Sequence, residues 1–152
     1  MEQLLHYVWK HRLYDRAGLS TTDGREVEVI DPGLHNTDAG PDFFNAKVKI
    51  GGTLWVGNVE IHDRASDWTA HGHQTDAAYD SVVLHVVACA DATTADSRGR
   101  RGTQMVMGVP PYVADNYREL LATDNYPPCY RIIPALPPMT VTSWLAALQA
   151  ER

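Results

Sequence analysis

Three polar residues on one predicted strand have the chemistry to hold a metal ion. Asn58, Glu60 and His62 alternate along residues 54–62, and residues two apart on a strand point to the same face of a sheet. A carboxylate and an imidazole on one face are suitable ligands for a divalent cation. Asp42 begins the preceding predicted strand, so the hairpin between the two strands decides whether Asp42 joins them.

The length of the turn at residues 51–52 sets the phase of this hairpin. With a two-residue turn, Asp42 falls opposite Ile61 and its side chain points away from Glu60. With a three-residue turn, Asp42 falls opposite His62, on the face that carries Glu60. We expect the three-residue turn because it aligns the apolar residues of both strands on one face: Phe44, Ala46, Val48, Ile50, Leu54 and Val56.

Two carboxylates at the end of an apolar face repel each other and lose hydration, and a divalent metal would relieve both costs. Oxygen ligands favour Mg²⁺ or Mn²⁺, while an imidazole shifts the preference toward Mn²⁺ or Zn²⁺. We therefore expect Mg²⁺ or Mn²⁺, with Zn²⁺ less favoured, at Asp42, Glu60 and His62 as metal ligands and catalytic residues. The alternative is structural: Asp42 caps the hairpin, Glu60 pairs with a basic side chain and His62 is exposed.

Other histidines have weaker signals. His71 and His73 lie beside Asp76 and are a possible metal corner, since alternate residues can chelate one ion. No third ligand follows at a diagnostic spacing, so a polar loop pair is the preferred interpretation. His85 lies within the apolar run VVLHVV and is interpreted as a hydrogen-bonded core histidine. His35 precedes the hairpin in a polar loop that could fold over the cluster.

Apolar spacing and turn signals indicate the elements that position these residues. A four-residue apolar spacing predicts an amphipathic helix over residues 2–14. Alternation predicts strands near 26–30, 42–50, 54–62 and 81–89, the last too apolar to have one solvated face and therefore central. A short helix is expected around 74–79. The predicted fold class is α+β, a mixed β-sheet with flanking helices.

Beyond the fourth strand the signals are sparser. Residues 103–109 are predicted as a strand, and a helix is expected to begin after the Pro110-Pro111 pair. Five prolines make residues 124–139 an extended connector, followed by a final helix with no stop signal. We expect a core domain over residues 1–123, and a connector and helix over 124–152 that begin a further region of a longer protein.

The charge and composition of the chain limit which partners are expected. The chain has 152 residues and a formal net charge of −6, so nucleic acid is a possible partner that the overall charge does not support. Local basic candidates, Lys47 and Lys49, are interpreted as solvated surface charge. No stretch approaches the ~18 apolar residues of a membrane span, and no membrane partner is expected. The sequence carries no signal of oligomeric state.

The expected location is the cytoplasm. The N-terminus lacks the basic segment, apolar run and cleavage site of a signal peptide. Cys89 and Cys129 form no disulfide or metal-ligand framework, which fits a reducing compartment. Each cysteine is expected to be a small buried hydrophobe.

The hairpin resembles the core of the PD-(D/E)xK nuclease superfamily. GPDFF at residues 40–44 precedes a hairpin that ends in VEIH at residues 59–62, and the predicted order of elements matches its αβββαβ core. The resemblance implies that Asp42 and Glu60 hold a metal whose bound water attacks a phosphodiester, with Glu2 as the first-helix carboxylate. His62 stands at the lysine position of that superfamily and lacks the fixed positive charge of lysine.

Nearly the whole chain also resembles an uncharacterised bacterial family found largely in Bacteroidetes. The resemblance runs from LLHYVWKHRLY through HNTDAGPDFFNAKVKIGG, WVGNVEIH and SDWTAHGH to YDSVVLHVV, and it implies no activity.

Three functional hypotheses follow. The first is a metal-dependent phosphodiesterase or nuclease-like hydrolase. The second is a catalytically inactive nuclease-like binding or scaffolding domain, and the third is a metal-dependent hydrolase of a non-nucleic substrate. The negative net charge favours the latter two.

Overall fold

The computed structural model describes residues 1–15, 18–122, 142–143 and 146–147. The chain forms two units, Met1–Ala114 and Asp115–Arg152. Within the described residues, the first unit contains a six-stranded mixed sheet with flanking helices, which confirms the α+β fold class. The predicted connector and most of the final helix lie outside the described residues, so the domain boundary at residue 123 stays a prediction.

The elements follow one another in this order: α1 (Glu2–Lys10), β1 (Val27–Asp31), β2 (Leu34–His35), β3 (Phe43–Ile50), β4 (Thr53–Arg64), α2 (Asp67–Ala70), two 3-10 turns (His73–Thr75 and Ala77–Tyr79), β5 (Val82–Cys89), β6 (Gln104–Val106) and α3 (Pro111–Ala122). The four principal strands lie close to their predicted positions. The first helix ends earlier than predicted, and Arg12 just beyond it has a φ of 54° that helical backbone cannot adopt. The short helix expected at 74–79 is the pair of 3-10 turns.

The sheet is antiparallel on one side and parallel on the other. Its strand order is β1-β3-β4-β5-β6, with β2 paired to β3. Strands β1, β3 and β4 are antiparallel neighbours, whereas β4, β5 and β6 run parallel. Strand β5 therefore lies between two partners, and the burial of its middle residues confirms the prediction of a central strand.

The two faces of the sheet differ in chemistry. Val59 and Ile61 of β4 pack with Leu5, Val8 and Trp9 of α1 in the apolar core. Because side chains alternate along a strand, the intervening residues of β4 face the other side. The residues between 65 and 80, which include α2 and the 3-10 turns, cover that second face, and we call it the polar face.

The turn of the β3–β4 hairpin contains two residues, and the three-residue expectation is wrong. Ile50 pairs directly with Thr53, which leaves Gly51 and Gly52 as the turn. Both glycines have positive φ, 55° and 84°. Two consecutive positive φ angles match the twist of a tight hairpin.

A β-bulge in β3 then changes the phase of the hairpin. Phe43 pairs with Val59, and three residues further along β3, Ala46 pairs with Gly57, which is only two residues away on β4. Asn45 is the residue with positive φ, 55°, inside the bulge. The extra residue places the position before Phe43 opposite Glu60 rather than Ile61.

The same register corrects the predicted apolar face. Leu54 and Val56 are 55% and 58% exposed, because they pair with Lys49 and Lys47 on the solvated side of the hairpin. Phe43, not Phe44, is the aromatic residue fully buried in the core. The bulge exchanges these two neighbours between core and surface.

Two further observations bear on the composition-based expectations. Cys89 is exposed, contrary to expectation, because it is the last residue of β5; Cys129 lies outside the described residues. In the part of the chain that the structure describes, the helices are too short or too polar to cross a membrane.

The bulge generates a prediction about Asn45. Replacing Asn45 with Val should destabilise the protein by about 1–2 kcal/mol, because a β-branched residue is strained at positive φ. Asn45→Gly should be close to neutral, since glycine adopts positive φ without strain. Urea unfolding measures both changes. Lys47→Val, at an exposed position of the same strand with ordinary φ, is the matched control; an equal loss in both Val variants would contradict this account of the bulge.

Candidate metal centre

Glu60 and His62 of β4 form the centre of the polar face. Their side chains are 6% and 2% exposed, and Glu60 Oε1 lies 3.4 Å from His62 Nε2. The period of two along β4 is sufficient to bring them together. The alternative in which His62 is exposed is wrong, and in the described chain neither lysine nor arginine forms an ion pair with Glu60.

The loop after α2 brings two more imidazoles to this pair. His71 follows the last residue of α2, and Gly72 turns the chain with a φ of 80° before His73 begins the first 3-10 turn. His71 Nδ1 lies 3.1 Å from His62 Nε2, and His73 Nε2 lies 3.3 Å from Glu60 Oε1. One ring nitrogen from each of the three histidines lies within 4.8 Å of the others.

Aromatic packing holds His73 in place. Its ring stacks on Tyr79 with centroids 3.7 Å apart, and Trp68 meets it edge-on at 5.3 Å. Both partners come from the segment that covers the polar face. His73 Nε2 is nevertheless buried without a hydrogen bond of acceptable geometry. A buried nitrogen of this kind is costly unless a ligand satisfies it.

His85 of β5 supports His62 from behind. His62 Nδ1 and His85 Nε2 lie 2.8 Å apart, and His85 is 1% exposed. The interpretation of His85 as a hydrogen-bonded core histidine is therefore confirmed. A metal-binding histidine commonly uses its second ring nitrogen in such a contact, which fixes its tautomer.

Asp42 lies next to Glu60 and orients it. The backbone N–H of Asp42 donates to Glu60 Oε2 at 3.1 Å, and the N–H of Ile61 donates to Asp42 Oδ2 at 2.8 Å. His6 Nε2 of α1 lies 3.2 Å from the same Asp42 oxygen. The structure thus places Glu60 in contact with both Asp42 and His62. It also adds His6, which the sequence analysis missed because nothing in its local pattern marks it.

The other candidates lie outside the ligand group. Asn58 shares the strand face, but its side chain accepts from the backbone N–H of Asn45 and donates to Ser81 Oγ. His35 is exposed and stacks on Phe43, with centroids 4.9 Å apart. Its loop therefore reaches the neighbourhood of His6 and does not supply a ligand.

Burial sets the protonation of the cluster. Burial, reinforced by the charge of Asp42, raises the pKa of Glu60 to about 9. Burial and the neighbouring histidines lower the pKa of His62 to about 3, and burial followed by His73 lowers that of His85 to about 4. At neutral pH the contact between Glu60 and His62 is therefore one between neutral groups. Neutral imidazoles are the form that binds metals.

Near α1, the pKa values of one histidine and one glutamate are both raised. Burial opposes the charged form of His6, but the adjacent Asp42 carboxylate outweighs it and raises the pKa of His6. Burial and the charge of Asp42 also raise the pKa of Glu2. Glu2, the first-helix carboxylate implied by the nuclease resemblance, thus lies within electrostatic reach of Asp42.

The spacing of the donor atoms suits a four-coordinate ion. Ligand bonds of ~2.0–2.1 Å at tetrahedral angles place neighbouring donor atoms about 3.3–3.4 Å apart. The three contacts within the cluster measure 3.1, 3.3 and 3.4 Å. Three of the six separations among Glu60, His62, His71 and His73 thus match this value, and the three histidine nitrogens all lie within 4.8 Å of one another. The group has the donor types of a metal site. Cofactor identity stays a prediction.

The raised pKa of Glu60 generates a prediction about pH. Its folded-state value of about 9 exceeds the ordinary 4.5, so its stabilising contribution is complete below pH 4.5 and is lost as pH rises toward 9. With a chelator present, the Tm should fall between pH 6.5 and 9. Each unit of pH corresponds to at most ~1.4 kcal/mol, roughly 3 °C for a chain of this size.

Glu60→Gln should flatten this fall, because glutamine keeps an acceptor for the Asp42 N–H but does not ionise. A smaller slope remains from His6, whose pKa is also raised. Histidines with lowered pKa values change the free energy of unfolding only below pH 6.5, where their contribution to stability is lost as pH falls. They therefore do not contribute to the fall in Tm above pH 6.5. The matched control is Glu28→Gln, an exposed carboxylate on β1. Parallel Tm curves for wild type and Glu60→Gln would show that Glu60 is not the titrating group.

Comparison with known proteins identifies a family and no activity. No curated protein and no solved structure matches the chain. Residues 2–152 match the family described as protein of unknown function (DUF2851). This match confirms the resemblance to an uncharacterised family, whereas the Bacteroidetes distribution and the nuclease-like core stay predictions. The match extends over nearly the entire sequence, and the chain therefore belongs to the DUF2851 family.

Proposed function

We propose that the protein is a metal-dependent hydrolase of phosphodiesters, with the metal held by His62, His71 and His73 beside Glu60. The observation that supports this proposal is the convergence of one ring nitrogen from each histidine within 4.8 Å. Glu60 Oε1 lies 3.4 Å from His62 Nε2 and 3.3 Å from His73 Nε2. Within the cluster, His73 Nε2 is buried without a hydrogen bond, and such a nitrogen is costly unless a ligand satisfies it.

The donor set favours a transition metal. The expectation of Mg²⁺ or Mn²⁺ came from two carboxylates, whereas three of the four converging groups are imidazoles. Nitrogen ligands favour Zn²⁺, and also accommodate Mn²⁺, over Mg²⁺, which prefers oxygen ligands and retains its water. We therefore place Zn²⁺ first, Mn²⁺ second and Mg²⁺ last.

His62, His71 and His73 would hold the metal, which would act as a Lewis acid and activate a water for attack on the phosphodiester. Its positive charge would favour the carboxylate form of Glu60. Glu60 Oε1 would then take a proton from that water as its oxygen bonds to phosphorus, and would return the proton to the leaving oxygen as the bond from phosphorus to that oxygen breaks. The Asp42 N–H holds Glu60 Oε2, so the other carboxyl oxygen faces the histidines.

Two features support a phosphodiester as the substrate. The first is the resemblance of GPDFF and VEIH to the nuclease core, in which Asp42 and Glu60 hold corresponding positions. The second is the order helix, strand, hairpin, short helix and strand along the chain. A net charge of −6 favours a small phosphodiester over a long nucleic acid. Exposed, unpaired Cys89 fits a reducing cytoplasm as the location.

One observation favours a second candidate, a binding module with a structural metal. The side chains of Glu60, His62 and His73 are only 6%, 2% and 9% exposed. If Glu60 is the fourth ligand, the site is closed, as structural zinc sites are. In the hydrolase Glu60 would be a general base for water, whereas in the binding module it would be a ligand of the metal.

Metal binding should raise thermal stability. Addition of Zn²⁺ to chelator-treated protein should raise the Tm, by the equivalent of about 2.7 kcal/mol when free metal is one hundred times the Kd. His71→Ala should abolish most of this rise at little cost to the fold, because His71 is exposed. His11→Ala, an exposed histidine outside the cluster, is the control. Equal rises in both variants would exclude His71 as a ligand.

Hydrolysis separates the two candidates. The Zn²⁺- or Mn²⁺-loaded protein should release p-nitrophenolate from bis(p-nitrophenyl) phosphate, and Glu60→Gln should slow the release by ~10²-fold or more, as expected for loss of a general base. In that variant the metal-dependent rise in Tm should persist. Metal binding without hydrolysis by any form would leave the binding module as the function. A larger acceleration over the uncatalysed rate for p-nitrophenyl acetate than for the phosphodiester, lost in Glu60→Gln, would instead indicate a substrate other than a phosphodiester.

A further inference from the structure

A single asparagine organises the loop between β2 and β3. Residues 36–42 form this loop, and the backbone N–H of Asn36 donates to the Asp42 carbonyl at 2.7 Å, which closes it. The side-chain Oδ1 of Asn36 accepts from the N–H of Asp38 at 3.0 Å. Its Nδ2 donates to the carbonyls of Asp38, Ala39 and Pro41 at 3.2, 3.2 and 3.0 Å. The amide of Asn36 is therefore directed into the loop at both its oxygen and its nitrogen.

One of these contacts reaches the proposed general base. The peptide group between Pro41 and Asp42 accepts at its oxygen from Asn36 Nδ2, 3.0 Å away. The N–H of the same peptide group donates to Glu60 Oε2 at 3.1 Å. Because a peptide group is planar, its oxygen and its N–H cannot be turned separately. The Asn36 amide therefore fixes the direction from which this N–H meets Glu60.

Asn36 also holds the peptide group on the other side of Asp42. That group contains the Asp42 carbonyl, which accepts the 2.7 Å hydrogen bond from the Asn36 N–H. The Asp42 side chain is held separately, by the N–H of Ile61 and by His6. Both peptide groups that flank the Asp42 Cα atom thus depend on Asn36 for a hydrogen bond.

The orientation of Glu60 decides which of its oxygens faces the proposed metal ligands. With Oε2 held by the Asp42 N–H, Oε1 lies 3.4 Å from His62 Nε2 and 3.3 Å from His73 Nε2. A carboxyl group without that N–H can rotate about its terminal bond, and Oε1 then leaves this position. Displacement of a catalytic group by about 1 Å can slow a reaction by roughly 10²-fold.

We propose that Asn36 is a positioning residue for hydrolysis: its amide orients the peptide group between Pro41 and Asp42, and this peptide group orients Glu60. The inference rests on the proposed function, because the orientation of Glu60 affects the rate only if Glu60 is the general base. The three histidines come from β4 and from the segment after α2, so metal binding does not depend on Asn36.

Asn36→Asp tests the proposal, because aspartate has the same size and keeps an acceptor for the Asp38 N–H but lacks the N–H donors. The apolar core contains no residue of this loop, so the variant should fold. With Zn²⁺-loaded protein and bis(p-nitrophenyl) phosphate, kcat should fall about tenfold while KM changes by less than about twofold. Asn36→Ala, which adds no charge, should give a similar fall and an unchanged rise in Tm with Zn²⁺. Thr37→Ala, at an exposed position of the same loop, is the control and should keep the wild-type kcat.

The Glu60→Gln background separates positioning from a general loss of structure. A residue that acts only through Glu60 has no further effect once the general base is absent, so Asn36→Asp should change the residual kcat of Glu60→Gln by less than about twofold. A comparable fall in both backgrounds would show a merely structural role and overturn the proposal.

Two further outcomes distinguish this inference from the proposed function. A wild-type kcat in both Asn36→Asp and Asn36→Ala would overturn the positioning role and leave the hydrolase intact. A wild-type protein that binds Zn²⁺ but does not hydrolyse the phosphodiester would overturn the proposed function, and the positioning role with it.

Discussion

The phase of the β3–β4 hairpin governs the whole site. Side chains on a strand alternate with a period of two, so one extra residue moves every following side chain to the other face. The two-residue turn alone would direct Asp42 away from Glu60. The bulge at Asn45 adds the single residue that places Asp42 opposite Glu60. Its positive φ is a local strain that the paired strands on either side maintain.

Once Glu60 faces the covered side of the sheet, electrostatics follow from burial. A carboxyl group at this depth favours its neutral form, and imidazoles beside it also lose their charge. Glu60 and His62 on the polar face are therefore buried neutral groups, whereas the neighbouring Asp42 at the rim raises the pKa of His6. A bound metal would offset the cost of burying Glu60, because its positive charge stabilises the ionised carboxylate, either as a ligand or as a hydrogen-bond acceptor.

Parallel pairing of β4 with β5 extends the site beyond its ligands. Glu60 and His85 are paired in register, so they lie side by side on the polar face. His85 Nε2 lies 2.8 Å from His62 Nδ1. An imidazole of the neighbouring strand therefore orients the ring of His62 within the cluster.

The sequence by itself determined the α+β class, the principal strands, the shared face of Glu60 and His62, and the buried hydrogen-bonded role of His85. These follow from period-two alternation and apolar runs, which are local properties. Only the tertiary structure decided that Asp42 reaches Glu60 and that His71, His73 and His6 join the cluster. The bulge has no strong signature at Asn45, and His71 meets His62 only because a loop folds across the sheet. Contacts between distant elements depend on packing, which no local pattern encodes.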